Sequence, residues 1–80
     1  MNYEIIVKVI WDTEAKVWVA QSDNIQGLIT EAETMETLIQ KLKIMIPELL
    51  EANSMMDQDF KRCIPFHIFG KRSETIDMAA

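Results

Sequence analysis

From Met35 to Leu50, apolar side chains recur at steps of three and four: Met35, Leu38, Ile39, Leu42, Met45, Ile46, Leu49 and Leu50. That spacing is the period of one helix face, and a strand would scatter the same side chains over both of its sides. Glu36, Gln40, Lys41, Lys43, Glu48 and Glu51 lie largely off the stripe. Thr34 stands where an N-cap is needed, its hydroxyl free to accept from the first unpaired backbone N–H groups, and Glu36 puts an acid in the first turn. Pro47 lacks a backbone donor and is expected to kink the helix or to end its first segment near Ile46; Asn53-Ser54 is the expected stop. In a chain of 80 residues, one helix of this length leaves room only for short strands around one core.

Those strands are readable on both sides of the helix. Tyr3, Ile5, Val7, Val9 and Trp11 alternate with Glu4, Ile6, Lys8 and Ile10. Asp12 to Lys16 reads as a polar turn, and Val17 to Ser22 as a second, β-branched and aromatic strand. With Trp11 opposite Val17, one face collects Tyr3, Ile5, Val7, Val9, Trp11, Val17 and Val19. The other then holds Ile6, Ile10, Trp18 and Ala20. A one-residue slip would exchange these sets. Both faces of the hairpin are apolar in either register, and one helix covers only one of them. Ile6, Ile10 and Trp18 are therefore the expected interface with a partner or a second copy.

Asp23 to Gly27 reads as a turn, Leu28 to Ala32 as a third strand, and Met55 to Lys61 as a connector without period. Arg62 to Phe69 returns to strand character, with Pro65 pointing to an edge strand or a bulge. Gly70 and the residues after it are expected to fray. The order is β-β-β-α-β, an α+β fold in which one antiparallel-rich sheet carries one helix. Residues 1–70 form the domain and residues 71–80 a polar tail.

Composition narrows the function classes. An apolar share of 49% with 26% charged residues is that of a folded globular chain. The net charge is −5, split unevenly: residues 1–60 carry −7 and residues 61–80 carry +2. Such a body disfavours phosphate contacts, which supply most nucleic-acid affinity, and suits a basic protein partner. Cys63 stands alone, so a disulfide cannot support this small core, and self-association would supply the burial a monomer lacks. A single thiol, an N-terminus without a basic leader and the absence of a long apolar run point to the cytoplasm, away from a membrane.

A catalytic constellation is missing from this reading. His67 is the single histidine, and Cys63 lies roughly 13 Å from it along an extended strand. Gly27 and Gly70 are too few for a phosphate loop. Asp12 with Glu14, Glu31 with Glu33, and Asp57 with Asp59 read as solvated carboxylates, without the further oxygen ligands a cation needs. No enzyme activity, metal or cofactor is expected. Lys61, Arg62, Lys71 and Arg72 bracket the last strand and leave a small RNA-binding domain as a remote alternative.

The stretch running from Trp11-Asp12 through Val17-Trp18-Val19-Ala20, then Asp23, Ile25, Gly27-Leu28, Thr30-Glu31-Ala32 and Thr34 before a helix, resembles the HicB-like antitoxin core. The run Ile46-Pro47-Glu48-Leu49-Leu50 is similar to one shared by a short bacterial subgroup of that superfamily. The resemblance covers roughly residues 3–53, with a compatible strand at 62–69. It implies a partial double-stranded-RNA-binding-type β-β-β-α-β fold. It also implies neutralisation of a small basic HicA-type toxin that cleaves messenger RNA, by masking its surface. Two departures stand out. About ten residues follow the last strand, too few for an appended operator-binding domain, and Met35-Glu36 stands where the Glu-Ala pair frequent after the threonine would be. The alternative is a stand-alone homo-oligomeric accessory protein without a toxin partner.

Overall fold

The computed structural model describes residues 4–53 and 64–78. Strand β1 (Ile5–Asp12) turns into β2 (Val17–Gln21), and β3 (Ile29–Ala32) leads into helix α1 (Met35–Ala52); β4 (Phe66–Lys71) completes the sheet. The sheet order is β3-β2-β1-β4. β1 pairs antiparallel with β2 and parallel with β4, and β2 pairs antiparallel with β3. The architecture is the α+β arrangement read from the sequence, a mixed four-stranded sheet with one helix.

The helix covers one face. Leu38, Leu42, Ile46 and Leu50, one turn apart, are buried against Ile5, Val7 and Val9 of β1, Ala20 of β2 and Ala32 of β3. Burying each such aliphatic side chain contributes about 1.5–3 kcal/mol. Ile25 and Leu28, from the β2–β3 connection, close the core at one end. The cap forms as expected: the Thr37 N–H donates to Thr34 Oγ1 over 3.1 Å. At the far end Asn53 caps the helix, and its side-chain amide donates to the Gln26 carbonyl at 2.9 Å, tying the helix to that same connection.

Gly27 sits in this connection with φ +87, a left-handed conformation that a side chain disfavours. Nearby, Ser22 and Asn24 do for β1 what a longer β2 would do. The Ser22 hydroxyl donates to the Ile6 carbonyl at 2.6 Å, and the Ile6 N–H donates to Asn24 Oδ1 at 3.3 Å. The Asn24 amide also donates to the Glu4 carbonyl. Side-chain groups thus take over the ladder where the backbone turns away.

Four expectations are corrected. Asp12 pairs with Val17 and Trp11 with Trp18, so the hairpin register is the slipped one and not Trp11 opposite Val17. The loop is built to match this register. Asp12 stays in the strand, its Oδ1 accepts from the Glu14 and Ala15 N–H groups at 3.0 and 3.1 Å, and Lys16 adopts φ 59. A four-residue loop results, one shorter than the polar run suggests. Pro47 does not end the helix, which runs unbroken to Ala52. Its ring lies on the exposed side, while Ile46 and Leu50 keep the stripe buried on both sides of it. The last strand begins at Phe66, with Ile64 and Pro65 outside it, while the expected start at Arg62 lies outside the described residues; Pro65 stands just before an edge strand, where no ladder donor is needed. Finally, the chain does not fray from Gly70, because β4 continues through Lys71 in register with Ile10.

Candidate functional site

The three ladders assign every strand residue to a face. With Val9 opposite Ala20, and Val7 opposite Ile68, the core side collects Ile5, Val7, Val9, Trp11, Trp18, Ala20, Ala32, Phe66 and Ile68. The other side is left uncovered by α1. Its residues form rows across the strands. One row runs Glu31, Val19, Ile10, Lys71 from β3 to β4; the next runs Ile29, Gln21, Lys8, Phe69; a third pairs Ile6 with His67. Ile10 is 54% exposed, Ile29 64% and Phe69 62%. Isolated surface aliphatics are ordinary, but these three lie on one continuous sheet face together with half-buried Ile6, Val17 and Val19.

Of the three expected interface residues, Ile6 and Ile10 share this open face. Trp18 does not. The shorter loop shifts the register by one position and turns Trp18 to the helix side, where it meets Trp11 edge-to-face with ring centroids 5.1 Å apart. Val17 and Val19 take its place on the open side. The guanidinium of Arg72 stacks over Trp11 at 4.0 Å and lies 5.6 Å from Trp18, and its Nε donates to Glu74 Oε2 at 2.5 Å. The first residue after β4 is thus held against the β1–β2 end of the sheet by cation–π contact, which nothing in the local sequence around Arg72 announces.

The polar residues singled out for chemistry do not converge. His67 is exposed on the open face beside Ile6. Cys63, Asp57, Asp59, Lys61 and Arg62 lie outside the described residues. Glu31 and Glu33 border a shallow hollow of about 370 Å³ with Val17, Ala32, Thr34, Thr37 and Lys41. Its cation is already used, since Lys41 Nζ donates to the Glu31 carbonyl at 2.6 Å. Lys8, at the centre of the open face, is paired with Asp23 at 2.7 Å. Among the described residues, no group of three or more His, Cys, Asp or Glu side chains is placed to hold a metal ion. No helix among them is long and apolar enough to cross a membrane.

Fold and surface together define a two-layer α+β domain whose mixed sheet is packed on one side and bare on the other, where exposed apolar residues alternate with polar ones. The chain belongs to the family described as a domain of unknown function, DUF1902, which matches residues 4–79. It is similar to a hypothetical protein from the extremely thermophilic bacterium Thermus thermophilus, known from a crystal structure: 38% of residues are identical, the TM-score is 0.67, and the match covers 95% of this chain and 100% of that one. No curated protein matches the chain.

Proposed function

We propose that this chain is a cytoplasmic, HicB-like protein-interaction domain that acts by covering a partner's surface and not by catalysis. The observation that supports an interaction role most directly, through self-association, is the open sheet face, where Ile10, Ile29 and Phe69 remain more than half exposed. Burying such a face is favourable at roughly 25 cal/mol per Å² of apolar area. Self-association through it leaves the helical sides of the molecule outward, with Glu33, Glu36, Glu48 and Glu51 exposed. A net charge of −5 per chain steers a basic protein toward those sides. A small basic toxin of the HicA type is the partner that the HicB resemblance offers.

The test is affinity capture with the intact chain from its native cells, followed by co-expression of any small basic protein recovered at stoichiometric level. The expected result is that the captured protein arrests growth alone and that this chain relieves the arrest. A captured protein that is harmless, or whose toxicity this chain leaves untouched, would remove the antitoxin reading. The second reading, a stand-alone homo-oligomer, is favoured by the composition of the open face itself, which carries an acid at one edge and a base at the other.

A further inference from the structure

We infer that the open sheet face is covered by a second copy of this chain, stacked face to face about a twofold axis parallel to the strands. The inference deepens the self-association in the proposed function and rests on that part of it alone, so it holds with or without a toxin partner.

The argument comes from the rows. For two sheets stacked in the aligned way, with strand directions within about 30° of each other, a twofold axis in the plane between them runs close to the strands or close to perpendicular to them. An axis along the strands, centred between β1 and β2, keeps each row at its own height and reverses its order. β3 then lies over the partner's β4, and β2 over the partner's β1. The row Glu31, Val19, Ile10, Lys71 meets its own reverse: Glu31 faces a lysine, Lys71 faces a glutamate, and Val19 and Ile10 face each other in the middle. In the next row Ile29 faces phenylalanine and Gln21 faces lysine. In these two rows charged and polar positions face charged or polar ones and apolar positions face apolar ones; at the end of the sheet Asp12 faces valine, its carboxylate already accepting from the Glu14 and Ala15 N–H groups.

An axis across the strands does the opposite. It stacks each strand on its own copy: centred on the first row it sets Glu31 against glutamate and Lys71 against lysine, and centred between the first two rows it sets Glu31 against isoleucine, Lys71 against phenylalanine and Ile10 against lysine. Like charges brought together at an interface are costly, and so are charges set against apolar groups. The register selects the first axis.

The ion-pairing state of the two edge residues supports the same choice. Among the described residues, neither the Glu31 carboxylate nor the Lys71 ammonium has an ion-pair partner within the chain. They stand at opposite edges of the sheet, about 14 Å apart at the usual strand spacing, too far to pair with each other in one copy. Lys8, the one cation over the apolar middle, is already neutralised by Asp23. The row Glu31, Val19, Ile10, Lys71 is thus apolar in its centre with one unmatched charge at each edge, a pattern that complements its own reverse. Sheets stacked in this aligned way sit about 10 Å apart and about 30° askew, within reach of Glu and Lys side chains at the rim.

The experiment is sedimentation equilibrium on the full chain, with circular dichroism to confirm folding of each variant. Wild type is expected to dimerise, more weakly in high salt. Glu31→Lys and Lys71→Glu each turn both cross-copy pairs into like-charge contacts and should weaken the dimer by about tenfold or more. Mixed in equal amounts, the two variants should form a heterodimer tighter than either homodimer, and the double variant Glu31→Lys with Lys71→Glu should recover wild-type association. Ile10→Asp, at the apolar centre, should leave a folded monomer. A wild type that stays monomeric would overturn both the inference and the self-association it rests on. A dimer indifferent to the charge reversals, or one that survives Ile10→Asp, would overturn this interface while leaving self-association standing.

Discussion

Replacing Asn24 by alanine tests whether side chains complete the sheet where β2 ends. The substitution removes the acceptor for the Ile6 N–H, now at 3.3 Å, and the amide donor to the Glu4 carbonyl. Each hydrogen bond contributes about 0.5–1.5 kcal/mol net, and the lower half of that range applies because Asn24 is exposed and water can replace part of what is lost. Two such bonds give a loss of about 1–2 kcal/mol. With a urea dependence of about 1 kcal/mol/M, expected for a chain this short, the unfolding midpoint should fall by about 1–2 M. Wild type and variant are compared by far-ultraviolet circular dichroism at one protein concentration, because self-association would otherwise shift both midpoints. Asn24→Asp sharpens the test. It keeps the acceptor for Ile6 but sets a carboxylate oxygen against the Glu4 carbonyl, and should be at least as destabilising as alanine. A midpoint for Asn24→Ala within about 0.3 kcal/mol of wild type would show that the turn backbone holds β1 without the side chain, and would refute the reasoning.

Leu42→Ala empties the middle of the core, where the side chain is fully buried, and should cost about 2–5 kcal/mol in a thermal or urea titration. A cost below about 1 kcal/mol would mean that the sheet and helix collapse onto the gap. Pro47→Ala restores a donor for the Lys43 carbonyl inside an unbroken helix and should raise stability, by up to about 3 kcal/mol; a loss would show that the exposed ring packs against something essential. Arg72→Ala should alter the fluorescence of Trp11 and Trp18 and cost about 0.5–1 kcal/mol, with Arg72→Lys retaining part of both. Emission identical to wild type would mean that the guanidinium does not rest on the indoles in solution.

The helix and its cap were legible because their signals are local and redundant: eight apolar residues at one period, and a threonine followed three residues later by the N–H it accepts. The strand order was not. A parallel partner for β1 arrives from beyond the helix, and only the tertiary fold places Phe66 beside Ile5. Pro47 was read by its missing donor, a local cost of about 3 kcal/mol, but Leu42, Ile46 and Leu50 bury on both sides of it and outweigh that cost. The Ser22–Asn24 substitution for a ladder was hidden for a different reason. Polar residues after a strand signal a turn, and nothing local distinguishes a turn that faces solvent from one that bonds back to the neighbouring strand.

The candidate interface turned on a single residue of loop length. Reading Asp12 as turn instead of strand places Trp18 beside Ile6 and Ile10; keeping it in the strand places Val19 there and sends Trp18 to the helix side. The contact that goes with this register is the Asp12 carboxylate accepting from Glu14 and Ala15, which lets the turn close in four residues with Lys16 at positive φ. That one register then propagates outward through two further ladders. It aligns Glu31 and Lys71, distant in sequence, at the two ends of one row across Val19 and Ile10. A hairpin with the opposite register would turn Trp18 and Ala20 to the open side and leave Val19 among the core residues. Lengthening the loop by one residue after Ala15 offers the hairpin that register. If the slipped pairing is held by core burial of Val9 against Ala20, the insertion should bulge the loop and spare the dimer; if the loop dictates the pairing, the dimer should be lost.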